Sequence, residues 1–210
     1  MKTEDLIAAL VADTTPQKST GTRLFQALPL AVLVSLLALI ALWSVRPDLS
    51  AAIASPALIK TVLPAGLALI ALWLAHGLSH PEARARAQWA TIGVVAIGFA
   101  VALAQGLLSG GWSGLKSALQ TPNLITCFVS IPLLSSLPLA AVIWAMKSGA
   151  PANLRQAGAA AGLLAGAAGT AVYSLHCPED SLLFFGPAYG LNILIMVAIG
   201  AVIGPRWLRW

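Results

Sequence analysis

Residues 24–43 read LFQALPLAVLVSLLALIALW, twenty residues without a single charge. A helical residue advances the chain about 1.5 Å, so a run of this length crosses the hydrocarbon core of a bilayer, about 30 Å thick. The run is continuous, rich in Leu and Ala, about twice the length of a barrel strand, and shows no two-residue alternation. It therefore reads as a membrane helix rather than a strand. Five further stretches repeat the pattern, at roughly 57–76, 89–109, 123–146, 154–175 and 185–204.

The separators carry proline and charge. Arg46-Pro47-Asp48 follows the first span, and His80-Pro81-Glu82 with Arg84 and Arg86 follows the second. Thr121-Pro122-Asn123, Gly149-Ala150-Pro151 and Pro178-Glu179-Asp180 precede the fourth, fifth and sixth. Of the 210 residues 59% are hydrophobic and 9% charged, with mean hydropathy +0.87. A soluble protein carries roughly 25% charge, so a soluble globular enzyme, a disordered chain and a disulfide-rich secreted module are excluded. The expected fold is all-α: a polytopic membrane protein with a bundle of six transmembrane helices. Residues 1–23 form a cytoplasmic N-terminal segment with a short amphipathic helix, and 24–210 form the membrane domain. Ala52-Ile53-Ala54 resembles a signal-peptidase site. The first apolar run is too long for a signal peptide, however, and three acids precede it, so the span is expected to stay.

Alternating the spans places Lys2, Lys18, Arg23, Arg84, Arg86, Lys147, Arg155, Arg206 and Arg209 on one side and Arg46, Lys60 and Lys116 on the other. The nine-to-three split lies in short loops, where positive charge marks the cytoplasm, so both termini are expected inside a bacterial inner membrane. The net charge of +5 is mostly this signal. The bases are scattered over short segments and make no nucleic-acid surface, so direct nucleic-acid binding is not expected and membrane lipid is the surrounding partner. All seven acids avoid the spans, and Lys60 and Arg155 are expected to snorkel to the headgroups. Without a midplane charge an ion-coupled transporter is disfavoured. Gln105, Thr170 and Asn192 are expected to bond between helices. Gly158, Gly162 and Gly166, followed by Gly169, make a small-residue stripe on the fifth span, for packing inside the bundle or for homodimerisation. The chain holds no Walker loop, HExxH, GxSxG or CxxC, so no enzymatic role is expected.

Cys127 and Cys177 are the two cysteines, and both are assigned to the non-cytoplasmic side. Three readings stand open: a structural disulfide, a redox- or metal-responsive pair, and two unrelated buried thiols. His176, Cys177, Glu179 and Asp180 fall within five residues. With Cys127 they offer thiolate, imidazole and carboxylate to a soft or borderline metal ion, though the spacing matches no established zinc pattern. A heavy-metal ion there would be a transient ligand; no resident cofactor is expected.

At the N-terminus Glu4 and Asp5 suit the first turn of a helix, and Leu6, Ile7, Leu10 and Val11 form one apolar stripe, with Asp13 at its end. About 11 residues make a marginal helix alone, so the stripe needs a cover. Its acids disfavour anionic lipid and point to a protein partner bound helix-in-groove.

Lys2-Thr3-Glu4-Asp5-Leu6-Ile7 with Leu10 and Asp13 resembles the start of the NrsF-type bacterial membrane proteins. So do Arg46-Pro47-Asp48-Leu49, His176-Cys177-Pro178-Glu179-Asp180-Ser181 and the tail Gly204-Pro205-Arg206-Trp207-Leu208-Arg209-Trp210. The resemblance implies a six-span inner-membrane anti-sigma factor that holds an extracytoplasmic-function sigma factor inactive. It also implies that Cys127 and Cys177 are a periplasmic pair answering heavy-metal or oxidative stress. The alternatives are a membrane thiol or quinone-linked redox protein, and a small metal or solute transporter.

Overall fold

A computed structural model describes residues 3–12, 19–82 and 85–209, apart from the side chains at 6, 9 and 10. Its elements are α1 (Thr3–Ala12), α2 (Thr20–Leu42), α3 (Leu49–Ile53), a 3₁₀ turn (Pro56–Leu58), α4 (Ile59–Leu78), α5 (Arg86–Leu119), α6 (Asn123–Met146), α7 (Leu154–Tyr173) and α8 (Leu182–Trp207). The described residues contain no strand.

Among the described residues five helices are long and apolar enough to cross a membrane: α2, α4 with its 3₁₀ lead-in, α5, α6 and α8. The fifth expected span, 154–175, corresponds to α7, which falls outside this set. It has twenty residues, but Ala and Gly supply most of them, so it is less hydrophobic than the rest. It needs little hydrophobicity of its own, because fifteen of those residues are buried against α2, α4, α6 and α8. α5 is the opposite case. It touches only α4 and α8 extensively, and Gln88 is its one buried residue.

Hydrogen bonds at the two ends establish an up-and-down arrangement. At one end Ala150 N–H donates to Ser79 O at 2.8 Å, and the Thr20 and Ser148 hydroxyls meet at 3.2 Å. The starts of α2 and α7 thus lie beside the ends of α4 and α6. At the other end Arg46 N–H donates to Leu175 O at 3.1 Å, which joins the exit of α2 to the exit of α7.

The glycine stripe lies inside the bundle. A methyl group on Gly158 would strike the Gly200 carbonyl, and one on Gly162 would strike the Met196 carbonyl. Gly166 faces Met196 and Ile193 of α8, while Gly169 faces Ser135 of α6. With Gly200 and Gly204 opposite, the backbones of α7 and α8 come into direct contact.

The structure corrects the reading in four places. Lys60 does not snorkel; it is 2% exposed and turned inward. Thr170 and Asn192 bond within their own helices, to Gly166 O at 2.7 Å and Ala188 O at 2.8 Å, rather than between helices. Gln105 is exposed. The segment after the third span is not a loop: the helix breaks at Gly111, at φ 64° and ψ −178°, and resumes to Leu119. That backbone region is essentially reserved for glycine. An interhelical bond does exist elsewhere, where Ser35 Oγ of α2 donates to Leu134 O of α6 at 2.8 Å.

Candidate functional site: the thiol pair and its ionic clamp

Cys127 lies one turn into α6, and Cys177 lies just beyond α7. Fifty positions separate them in sequence, yet both are free thiols, fully buried, in one cluster with Tyr173, Phe184, Phe185 and Tyr189. The two thiols are near enough for each to influence the ionisation of the other. Tyr173 and Tyr189 stand edge to face beside them, with centroids 6.3 Å apart.

The Cys177 loop is pinned by residues from distant elements. Its N–H donates to Tyr173 O at 3.2 Å, which keeps it on the end of α7. Its carbonyl accepts from Lys60 Nζ of α4 and, at 3.4 Å, from Arg46 Nη1 of the segment after α2. Asp180 bridges the same two cations, at 2.6 Å from Lys60 Nζ and at 2.8 and 3.2 Å from Arg46 Nη1 and Nη2. Arg46 uses Nε and Nη2 on Asp48, at 2.8 and 2.7 Å. A guanidinium fork suits two carboxylates at once in a way that an ammonium does not. Asn123, the first residue of α6, donates to Glu179 Oε1 at 2.9 Å, and His176 Nδ1 meets Ser44 O at 2.9 Å.

The arrangement puts the cations inside and the acids outside. The Arg46 and Lys60 side chains are 5% and 2% exposed, and those of Asp48 and Asp180 are 57% and 40%. Two positive and two negative groups balance, which is the condition for burying charge. The hydrogen bonds from Arg46 push the Asp48 carboxyl down to about 2. The Arg46 bonds, and then those of Lys60, hold Asp180 below the usual carboxylate range. The Cys177 thiol is held below the ordinary thiol range. The neighbouring Cys127 thiol does most of this, assisted by the Lys60 charge, against the opposing effect of burial.

The structure therefore brings Cys127 and Cys177 together but spreads the other expected metal ligands apart. His176 turns to Ser44, Glu179 to Asn123, and Asp180 to the two cations. Among the described residues no three His, Cys, Asp or Glu side chains are grouped to hold a metal ion. A metal arriving here would meet two sulfurs. Sequence reasoning missed Arg46, Asp48 and Lys60 as parts of the site. Their signal was present: Arg46 and Lys60 are two of only three bases assigned to the thiol side, where orientation gives them no purpose.

The expected partner surface is α1, which precedes α2 in the chain. Glu4, Asp5, Ile7 and Val11 of α1 are exposed, Ile7 by 55% and Val11 by 73%. Asp13 and the side chains of Leu6 and Leu10 lie outside the described residues.

Residues 10–210 match the family described as NrsF, negative regulator of sigma F. The chain is 35% identical over 213 residues to the probable anti-sigma-F factor NrsF of Azospira oryzae, with all of both chains covered. It is 33% identical over 216 residues to the anti-sigma-F factor NrsF of Caulobacter vibrioides, again with full coverage of both. No solved structure matches the chain.

Proposed function

Because the chain belongs to the NrsF family of negative regulators of sigma F, we propose that it is a membrane-bound anti-sigma factor whose partner is an extracytoplasmic-function sigma factor. The sigma factor is held at the cytoplasmic face and released when a heavy-metal ion or an oxidant reaches Cys127 and Cys177 from the periplasm. The family's role is regulatory, not enzymatic.

One observation supports this reading above the others. Two cysteines far apart in sequence meet at one end of the bundle, while the exposed apolar residues of α1 precede the helix that starts at the opposite end. Input and output are separated by the length of α2. A thiol oxidoreductase or quinone-linked enzyme is less well supported, since both thiols are fully buried. A transporter is less well supported because the charged groups of the site are clamped at one end rather than placed along a path.

In this reading Leu6, Ile7, Leu10 and Val11 seat the helix in a groove of the sigma factor, and the acids of α1 sit at its rim. Release needs two states of the protein with different affinity for the sigma factor, because a ligand shifts an equilibrium only by its differential affinity. The test is a pull-down of the sigma factor with Leu6→Asp, Ile7→Asp and Leu10→Asp combined. Binding and repression should both be lost; retention of both overturns the N-terminal mechanism. For the sensor, Cys127→Ser with Cys177→Ser should abolish the transcriptional response to cadmium or chromate, and an unaltered response removes the pair from the mechanism.

A further inference from the structure

The exit of α2 is tied to the residues on both sides of Cys177. Arg46 N–H donates to Leu175 O at 3.1 Å, Ser44 O meets His176 Nδ1 at 2.9 Å, and the Arg46 guanidinium holds the Cys177 carbonyl and Asp180. Within this connection Ser44 stands at φ 60°, the left-handed region that a residue with a Cβ adopts only under constraint. The constraint is visible: Trp43 N–H closes the last turn of α2 on Leu39 O, and three residues later Arg46 is already fastened to the Cys177 loop. Ser44 must make the turn between those two anchors. Loosening the Arg46 anchor removes the reason for the strained conformation.

Lys60 grips the same loop but belongs to α4, which does not lead to the N-terminal segment. Among the described residues two side chains join the Cys177 loop to the segment continuous with α2: His176, which meets Ser44 O, and Arg46, which of these two is the one that holds the Cys177 carbonyl and Asp180. From that point α2 runs 23 residues, about 34 Å at the usual helical rise, to Thr20 at the far end.

We propose that Arg46 is the positioning residue through which the state of the Cys127–Cys177 pair reaches α2. A thiophilic cation bridging the two sulfurs draws the Cys177 peptide toward α6. Each thiol gives its proton to water as it takes the metal, and no electrons move. The Cys177 carbonyl and Asp180 withdraw from Arg46, Ser44 relaxes, and α2 is freed to shift. The clamp is the two-state element whose balance both ends bias. This inference rests on the sensing role proposed above for the thiol pair.

The test uses the full chain in lipid nanodiscs, with CdCl₂ as the probe and amide hydrogen exchange as the readout. In the wild type, Cd²⁺ should raise exchange in residues 44–49 and along α2 about tenfold, within the usual range of coupling between sites. Arg46→Gln should show that exchange without Cd²⁺ and gain nothing further from it, while α7 stays protected as evidence of an intact fold. Arg46→Lys keeps a cation for Asp180 but loses the fork, and should restore part of the protection, which a merely space-filling role would not. Asp180→Asn supplies a second route to the loosened state if Arg46→Gln does not accumulate. Wild-type protection and a wild-type Cd²⁺ response in both Arg46→Gln and Asp180→Asn overturn the proposal. If Cys127→Ser with Cys177→Ser still answers Cd²⁺, the sensing role fails, and a loosened Arg46→Gln still supports the clamp. If the double serine variant is silent and the clamp variants behave as wild type, the sensing role stands and the clamp fails.

Discussion

At the thiol end Arg46 and Lys60 are buried, and each reaches a carboxylate more than a hundred positions away in sequence. At the other end Arg23 lies over the Trp144 ring at 5.4 Å and Lys147 over Trp207 at 5.8 Å, with the two rings 55% and 56% exposed. The same two residue types thus do different work. A half-exposed cation over an indole stays hydrated and adds a small attraction. A buried cation with fixed partners determines where those partners can be, because leaving it unpaired is costly. The cations at the aromatic end stay near solvent, and those at the thiol end hold a loop in place.

The largest effect is expected from a change that disables both ends together. Gly162→Leu drives a side chain into the Met196 carbonyl of α8, and overpacking of that kind costs about 3 kcal/mol. The variant should fail to accumulate in membranes, as read by immunoblot. Next comes Arg46→Met, which leaves Asp48 without its cation and Asp180 with Lys60 alone. Asp180 is partly exposed and can relax into water, so the expected loss is about 2 kcal/mol, less than for a fully buried pair. It should lower the melting temperature and speed alkylation of Cys177. If Arg46→Met melts like wild type, the distinction between the two ends collapses.

Acid should loosen the clamp at the thiol end. Asp48 titrates at about 2 and Asp180 below its ordinary value. Both folded values are depressed, so their contribution is complete above about pH 4 and is lost as the pH falls toward 2. Melting curves from pH 7 to pH 2 should fall for the wild type more steeply than for Arg46→Met. The smallest effect belongs to Arg23→Ala and Lys147→Ala, each worth about 0.5 kcal/mol. A larger loss in either would show that the aromatic end is also a structural clamp.

The membrane helices were legible because their signal is local. A continuous apolar run declares itself within twenty residues, and even α7 was found within two residues of its observed end. The break in α5 was harder to see. Ser109-Gly110-Gly111 reads as the start of a loop, but one glycine torsion lets the chain kink and resume helix. The convergence of Cys127 and Cys177 was legible as a shared side of the membrane. The clamp was not, because Lys60 at a span end looks the same whether its acceptors are headgroups or the carbonyls of residues 177 and 179. Only the fold brings those carbonyls to it. The expected ligand set failed for the same reason, since proximity in sequence placed His176, Glu179 and Asp180 near Cys177 while the loop pointed each elsewhere.

The enclosure of α7 bears on how the chain enters the membrane. An Ala- and Gly-rich helix gains little from lipid and sits near the threshold at which the translocon releases a segment sideways. Its neighbours α4 and α6 are made before it, but the glycine seam that closes over its last face belongs to α8, made after it. α7 should therefore wait at the exit of the translocon and enter with α8 as a hairpin. A chain truncated after residue 175 would leave its last helix stranded, though every residue of that helix is intact.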